Sequence, residues 1–133
     1  MSEGFKVEIV NPEQSFLLKE DVKEVVVPAY EGDMGILKDH ISIISFLKPG
    51  LLRVIDSVLV EETYYVENGV IEFKNNCLSI LTSNIFDTKK VDKKKVINIL
   101  AEAEKDLQNQ DISDQTRYLV DHKIEVLKSL TLN

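Results

Sequence analysis

The chain has 133 residues, of which 44 % are hydrophobic and 29 % charged, and its formal charge is −7. That length holds one ordinary domain, or a small domain with an appendage, and the balance is globular rather than disordered. An acidic surface repels phosphate backbones, which argues against nucleic-acid partners, and no apolar run nears the roughly 20 residues that span a bilayer.

The N-terminal stretch MSEGFKVEIV has no basic n-region and no apolar h-region, so neither a signal nor a transit peptide is expected. That favours a bacterial or organelle-encoded chain whose contact with a membrane runs through a partner. From there to about residue 87 the sequence reads as strands. FKVEIV alternates Phe5, Val7 and Ile9 with Lys6 and Glu8, the period of two of a half-buried strand. VKEVVV, ISIISFL, LLRVIDSVLV, TYYVE, VIEF and CLSIL follow, rich in β-branched and aromatic residues. Pro49-Gly50 suits the centre of a type II turn, Asn68-Gly69 is a strong hairpin signal between TYYVE and VIEF, and Asn75-Asn76 suits another tight turn. Short strands with turns this close together predict an antiparallel β-sandwich or flattened barrel.

The period changes near residue 91. Val96, Ile99, Leu100, Ala103 and Leu107 keep helical spacing, and so do Leu119, Val120, Ile124, Leu127 and Leu130. The polar stretch LQNQDISDQ between them, with Asp111 and Ser113 as candidate caps, predicts an antiparallel two-helix hairpin. The predicted organisation is a sandwich over 1–88 and a helical hairpin over 89–133. Helices of about 15 residues are marginal alone in water, so the hairpin is expected to dock on the sandwich or on a partner. A docking held by few side chains has alternatives, which is how switches are built; a permanent docking fits the sequence equally well.

Chemistry is sparse. The lysine run KKVDKKK at 89–95 is interrupted by Asp92 and has no aromatic for base stacking, and Cys77 has no cysteine to pair with. YEGDMGILKDH at 30–40 reads as a loop, with Gly32 and Gly35 turning the backbone while Glu31, Asp33 and His40 project outward. Its glycines do not form a phosphate loop, and its acids and histidine lack metal-site spacing. No nucleophile elbow occurs either, so no catalytic residue and no metal ligand is assigned. Recognition of a partner remains.

The stretch EGDMGILKDHISIISFLKPGLLRV at 31–54 resembles the epsilon subunit of bacterial and plastid F-type ATP synthases. Glu31-Gly32, Gly35-Ile36, His40, Pro49-Gly50 and Arg53 stand where that family has its pattern, and NGVIEF resembles its GG(I/V)xEV strand. The resemblance covers nearly the whole chain and implies a non-catalytic central-stalk subunit without a cofactor. Such a subunit links the gamma subunit to the c-ring and so couples proton translocation to ATP synthesis. It would be peripheral, on the cytoplasmic face of a bacterial inner membrane or on the stromal side of a thylakoid, without inserting. The resemblance places Glu31, Asp33 and His40 against the c-ring, on a loop shaped by Gly32, Gly35, Pro49 and Gly50.

It also implies a hairpin that can fold down or extend into the alpha/beta catalytic hexamer and inhibit hydrolysis. The family's ATP-sensing motif at the first helix, I(L)DxxRA, is matched here by Asp92 and Lys95. Lysine lacks the bidentate fork of arginine, and Ser83 stands where an acid is frequent, so regulatory ATP is poorly supported by these residues. The alternative from the residues alone is a free-standing β-sandwich module for a small ligand.

Overall fold

In the computed structural model, which describes residues 4–131, alternation in the sequence becomes alternation of burial. Phe5, Val7 and Ile9 of the first strand are buried and Lys6 is exposed, because one face of the strand meets a second layer. The chain forms β1 (Phe5–Asn11), β2 (Gln14–Ala29), β3 (Gly32–Leu37), β4 (Ile43–Leu47), β5 (Gly50–Asp56) and β6 (Glu61–Val66). It continues with β7 (Gly69–Lys74), β8 (Cys77–Thr82), β9 (Ile85–Asp87), a 3-10 turn at Thr88–Lys90, α1 (Lys93–Leu107) and α2 (Asp114–Thr131). Of the two stretches expected at 1–88 and 89–133, residues 1–3 and 132–133 lie outside the described residues.

β2 is long enough to serve both layers of a sandwich. Its first half pairs with β1, and that layer runs on through β8 and β7 to β4. Its second half pairs with β3 on one edge and β5 on the other, and this layer runs on to β6 and β9. Leu47 of β4 meets Ala29 of β2, which closes one side into a flattened barrel. Between the layers lies one core that includes Phe5, Ile9, Val25, Ile36, Leu52, Ile71, Phe73 and Ile80. Among the described residues the pairings are antiparallel except β1–β8, which is parallel because β1 inserts between its hairpin partner β2 and β8.

Several local expectations change. The centre of the stretch 30–40 is strand, not loop: Tyr30-Glu31 and Lys38-Asp39 turn, and Gly32–Leu37 between them pairs with β2 as the second arm of a hairpin. Gly32 takes φ +131°, a value that favours glycine, whereas Gly35 lies inside the strand opposite Val26 and shapes no turn. Pro49-Gly50 is not a type II turn, since Gly50 has no positive φ and already pairs with Val66. The chain there changes layer, from β4 to β5, and a Cβ on Gly50 would meet Pro28 Cβ at 2.7 Å. Asn68-Gly69 makes no hairpin either: β6 pairs with β5 and β9, while β7 pairs with β4 and β8. Here too the chain crosses between layers, pinned by the Thr82 hydroxyl, which accepts from the Glu67 N–H and shares its one hydrogen between the carbonyl oxygens of Glu67 and Asn84. Asn75-Asn76 behaves as expected, with φ of 52° and 54° joining β7 to β8.

The helices follow their caps. The Asp92 carboxylate accepts from Lys94 N–H at 3.0 Å and starts α1; the Ser113 hydroxyl accepts from Thr116 N–H at 3.1 Å and starts α2. The hairpin lies on the outer face of β5, β6 and β9, where Val96 and Leu127 bury Tyr65 with Leu51, Phe86 and Leu100 packed around them. Tyr65 is an outward residue of its sheet and is fully covered because the hairpin covers it.

Candidate functional site

The opening stretch does not gather its candidate residues at one point. Glu31 sits in the β2–β3 turn and Asp33 two residues on, both exposed. His40 lies beyond the far end of β3, and a six-residue strand separates the two groups by about 20 Å. Its ring packs edge-on against Phe73 with centroids 5.9 Å apart, and Nδ1 is 2.8 Å from the Ile41 carbonyl oxygen. Beside it Asn76 accepts from Asp39 N–H at 2.7 Å and donates to the Asp39 carboxylate at 2.9 Å. His40 is thus built into the rim of the sandwich, whereas Glu31 and Asp33 are free to meet a neighbour.

Asp33 has company of another kind. It lies within electrostatic reach of His122 on α2, as do Lys48 and Glu125. Gly50 is the floor of this corner: its missing Cβ position is 3.9 Å from His122 Nε2. The imidazole stacks on Tyr118 with centroids 6.5 Å apart, and the ammonium of the buried Lys48 sits 6.0 Å from the Tyr118 ring centre. Burial, then Lys48, holds the His122 imidazole below its ordinary range, against a smaller pull upward from Glu125, Asp33 and the Pro49 backbone. Nearby, the Glu67 carboxylate accepts from Tyr65 Oη at 2.8 Å and from Lys123 Nζ at 2.8 Å, tying α2 to β6. Burial and then the Glu67 charge push the Tyr65 hydroxyl well up, so it stays a donor.

The pair at the start of α1 does come together. Asp92 and Lys95 line one crevice with Phe86, Lys90 and Val96, of about 230 Å³. That is below the ~300–1,000 Å³ of small-molecule pockets. The Asp92 carboxylate is committed to the helix cap, and the Lys95 ammonium stands 5.7 Å from the centre of the Phe86 ring.

Sequence reasoning missed an apolar row on the surface. On the outer face of the first layer, strand register aligns Phe46, Val70, Leu81 and Val10 side by side across β4, β7, β8 and β1. Phe46 is 59 % exposed and Leu81 52 %, and Ile44 at 67 % and Tyr30 extend the row. Tyr30 lies against Phe46, with centroids 6.2 Å apart. A signal existed: ISIISFL is apolar at both parities around Ile43 to Leu47, so one set had to face outward. A row of this kind on an otherwise charged chain marks a surface made to be covered.

Comparison with known proteins agrees with this picture. The family described as ATP synthase, Delta/Epsilon chain, beta-sandwich domain matches residues 4–88. The ATP synthase epsilon chain of Pelagibacter ubique is 65 % identical over 130 residues, covering 98 % of this chain and 99 % of that one. The ATP synthase epsilon chain of Dichelobacter nodosus is 37 % identical over 111 residues, covering 84 % of this chain and 77 % of that one. A chain in the cryo-EM structure of the Euglena gracilis mitochondrial ATP synthase, OSCP/F1/c-ring, has the same fold, with a TM-score of 0.74 at 22 % identity. It covers 97 % of this chain and 80 % of its own length. With its sandwich, its docked helices and near full-length likeness to epsilon chains, the chain belongs to the ATP synthase delta/epsilon family.

Proposed function

We infer that the chain is a non-catalytic central-stalk subunit of an F-type ATP synthase, coupling proton translocation to ATP synthesis as the link between gamma and the c-ring. Family membership carries the assignment to the enzyme, and the apolar row Phe46–Val70–Leu81–Val10 carries the choice of face. Gamma docks on that row, where burial of each large side chain contributes roughly 1.5–3 kcal/mol. The turn bearing Glu31 and Asp33 meets the polar loops of the c-ring, where charges fix register more than affinity. His40 serves by holding the far end of β3 to β7. Among the described residues no helix is long and apolar enough to cross a membrane. The chain is a peripheral part of the complex, on the cytoplasmic face of a bacterial inner membrane in this reading.

Residues 1–88 are the unit that binds gamma and the c-ring, and 89–133 the regulatory unit, which on release reaches the alpha/beta hexamer and slows hydrolysis. ATP has no part in this reading, since Asp92 caps a helix and Lys95 offers a phosphate only a point charge. The test is co-expression with gamma. One heterodimer peak is expected on size exclusion, kept when the chain ends at residue 88 and lost in Phe46→Asp/Leu81→Asp. Undiminished copurification of the double variant removes this face from the proposal, and separate elution of the two wild-type chains removes the function.

A further inference from the structure

We propose that docking of the helical hairpin on the sandwich is acid-sensitive, released by protonation of His122 where α2 rests on the Pro49-Gly50 corner beside Lys48. The proposal concerns the isolated chain; only its consequence for the assembled enzyme rests on the function inferred above.

The corner leaves little room for a second cation. The place of the absent Gly50 Cβ is 3.9 Å from Nε2, and one face of the imidazole is stacked on Tyr118. Lys48 comes from the sandwich side, is 9 % exposed, and directs its ammonium to the same Tyr118 ring. The charged groups that face His122 are Lys48 from the β4–β5 corner, Asp33 from β3 and Glu125 from its own helix. Asp33 and Glu125 are both exposed, and charges in water screen weakly across such a gap. Desolvation and Lys48 therefore dominate, and the docked imidazole is held neutral.

The apolar part of the docking is small, so one charge matters. Tyr65, Val96 and Leu127 are the fully buried members of the hairpin interface. The other polar tie, Lys123 to Glu67, stands on the next residue of α2. Protonating His122 would place three cations, at 48, 122 and 123, along one seam against the Glu67 carboxylate.

The sign follows from linkage. His122 binds a proton more readily in the released hairpin than in the docked one, so protons favour release. Docking is strongest above the ordinary imidazole value of about 6.5 and weakens as pH falls through it, until the docked imidazole itself titrates.

Hydrogen exchange on the full isolated chain reads this directly, because released helices of this length lose protection while the sandwich keeps it. Between pH 7.5 and 5.5, after correction for intrinsic exchange, protection in α1 and α2 is expected to fall several-fold, with β7 and β8 as the unchanged internal reference. His122→Gln, which keeps a polar ring-sized group without the charge, is expected to abolish the pH effect. Lys48→Met is expected to shrink it. Hairpin protection equal at the two pH values in the unmodified chain overturns the proposal. So does an undiminished acid effect in His122→Gln whose sandwich protection is intact.

Discussion

The sandwich and the hairpin bury apolar surface in opposite ways. In the sandwich each layer closes the other: Phe5, Phe73 and Ile80 from one layer share a single core with Ile36 and Leu52 from the other. The hairpin closes on itself only through residues such as Val96, Ala103, Ile124 and Leu127, and borrows Tyr65 and Leu51 from the outside of the sheet. One unit has a core and the other has a docking face. What orients the docked unit is therefore polar, the Tyr65–Glu67–Lys123 tie and the His122–Lys48 corner, more than apolar area.

The contrast breaks first, and hardest, in the core. Phe73→Ala removes a fully buried ring and is expected to cost about 3–5 kcal/mol. In urea, sandwich and hairpin signals should shift together, because the docking face goes with the sheet. Leu127→Ala removes a side chain that is equally buried, at an expected ~2–4 kcal/mol, but only the hairpin should feel it. Helical circular dichroism is expected to fall at lower urea than sandwich exchange protection. Coincident loss of both signals would mean that the two units are one.

This division was legible in the sequence as a change of period, from two to about 3.6, near residue 91. Asn75-Asn76 and Ser113 were legible because their chemistry is local: a tight turn and a cap satisfied within a few residues. Pro49-Gly50 and Asn68-Gly69 misled for the opposite reason. Their turn propensity is outvoted by pairing with strands far along the chain, and both lie where the chain passes between layers. β3 was hidden by its two glycines, and Ile85–Asp87 is too short to show a period. For the site, Glu31 and Asp33 were proposed from the motif they resemble, and both are exposed. The apolar row was not, since Phe46, Val70, Leu81 and Val10 become neighbours only through register.

A smaller effect sharpens the comparison at the polar tie. Lys123 and Glu67 are mostly but not wholly buried, with side chains 25 % and 14 % exposed, so the pair falls between surface and interior cases. Lys123→Met is expected to weaken docking by about 1–2 kcal/mol. Combined with Glu67→Gln, the loss should be less than the sum of the single losses, since each single change strands a partner. Hairpin exchange protection in the four chains of that cycle measures the coupling; additive losses would deny the tie.

The last test lies wholly in the sandwich. Asp56 closes the β5–β6 turn: its Oδ1 accepts from the N–H groups of Val58 and Val60, each at 3.0 Å, and Oδ2 lies 3.6 Å from Lys19 Nζ. The Val60 N–H is the largest cause holding this carboxyl below its ordinary value of 3.8, with Val58 and Lys19 adding to it against partial desolvation. A depressed carboxyl stabilises the fold above the unfolded-state value and loses that contribution as pH falls through the folded one. The unmodified chain should therefore exceed Asp56→Asn in urea midpoint at neutral pH by an amount that shrinks below about pH 4. The acid response proposed for the hairpin instead begins at the ordinary imidazole value of about 6.5 and runs below it. Two windows that move independently, one in Asp56→Asn and one in His122→Gln, are what two separately stabilised units require; a single shared window would join them.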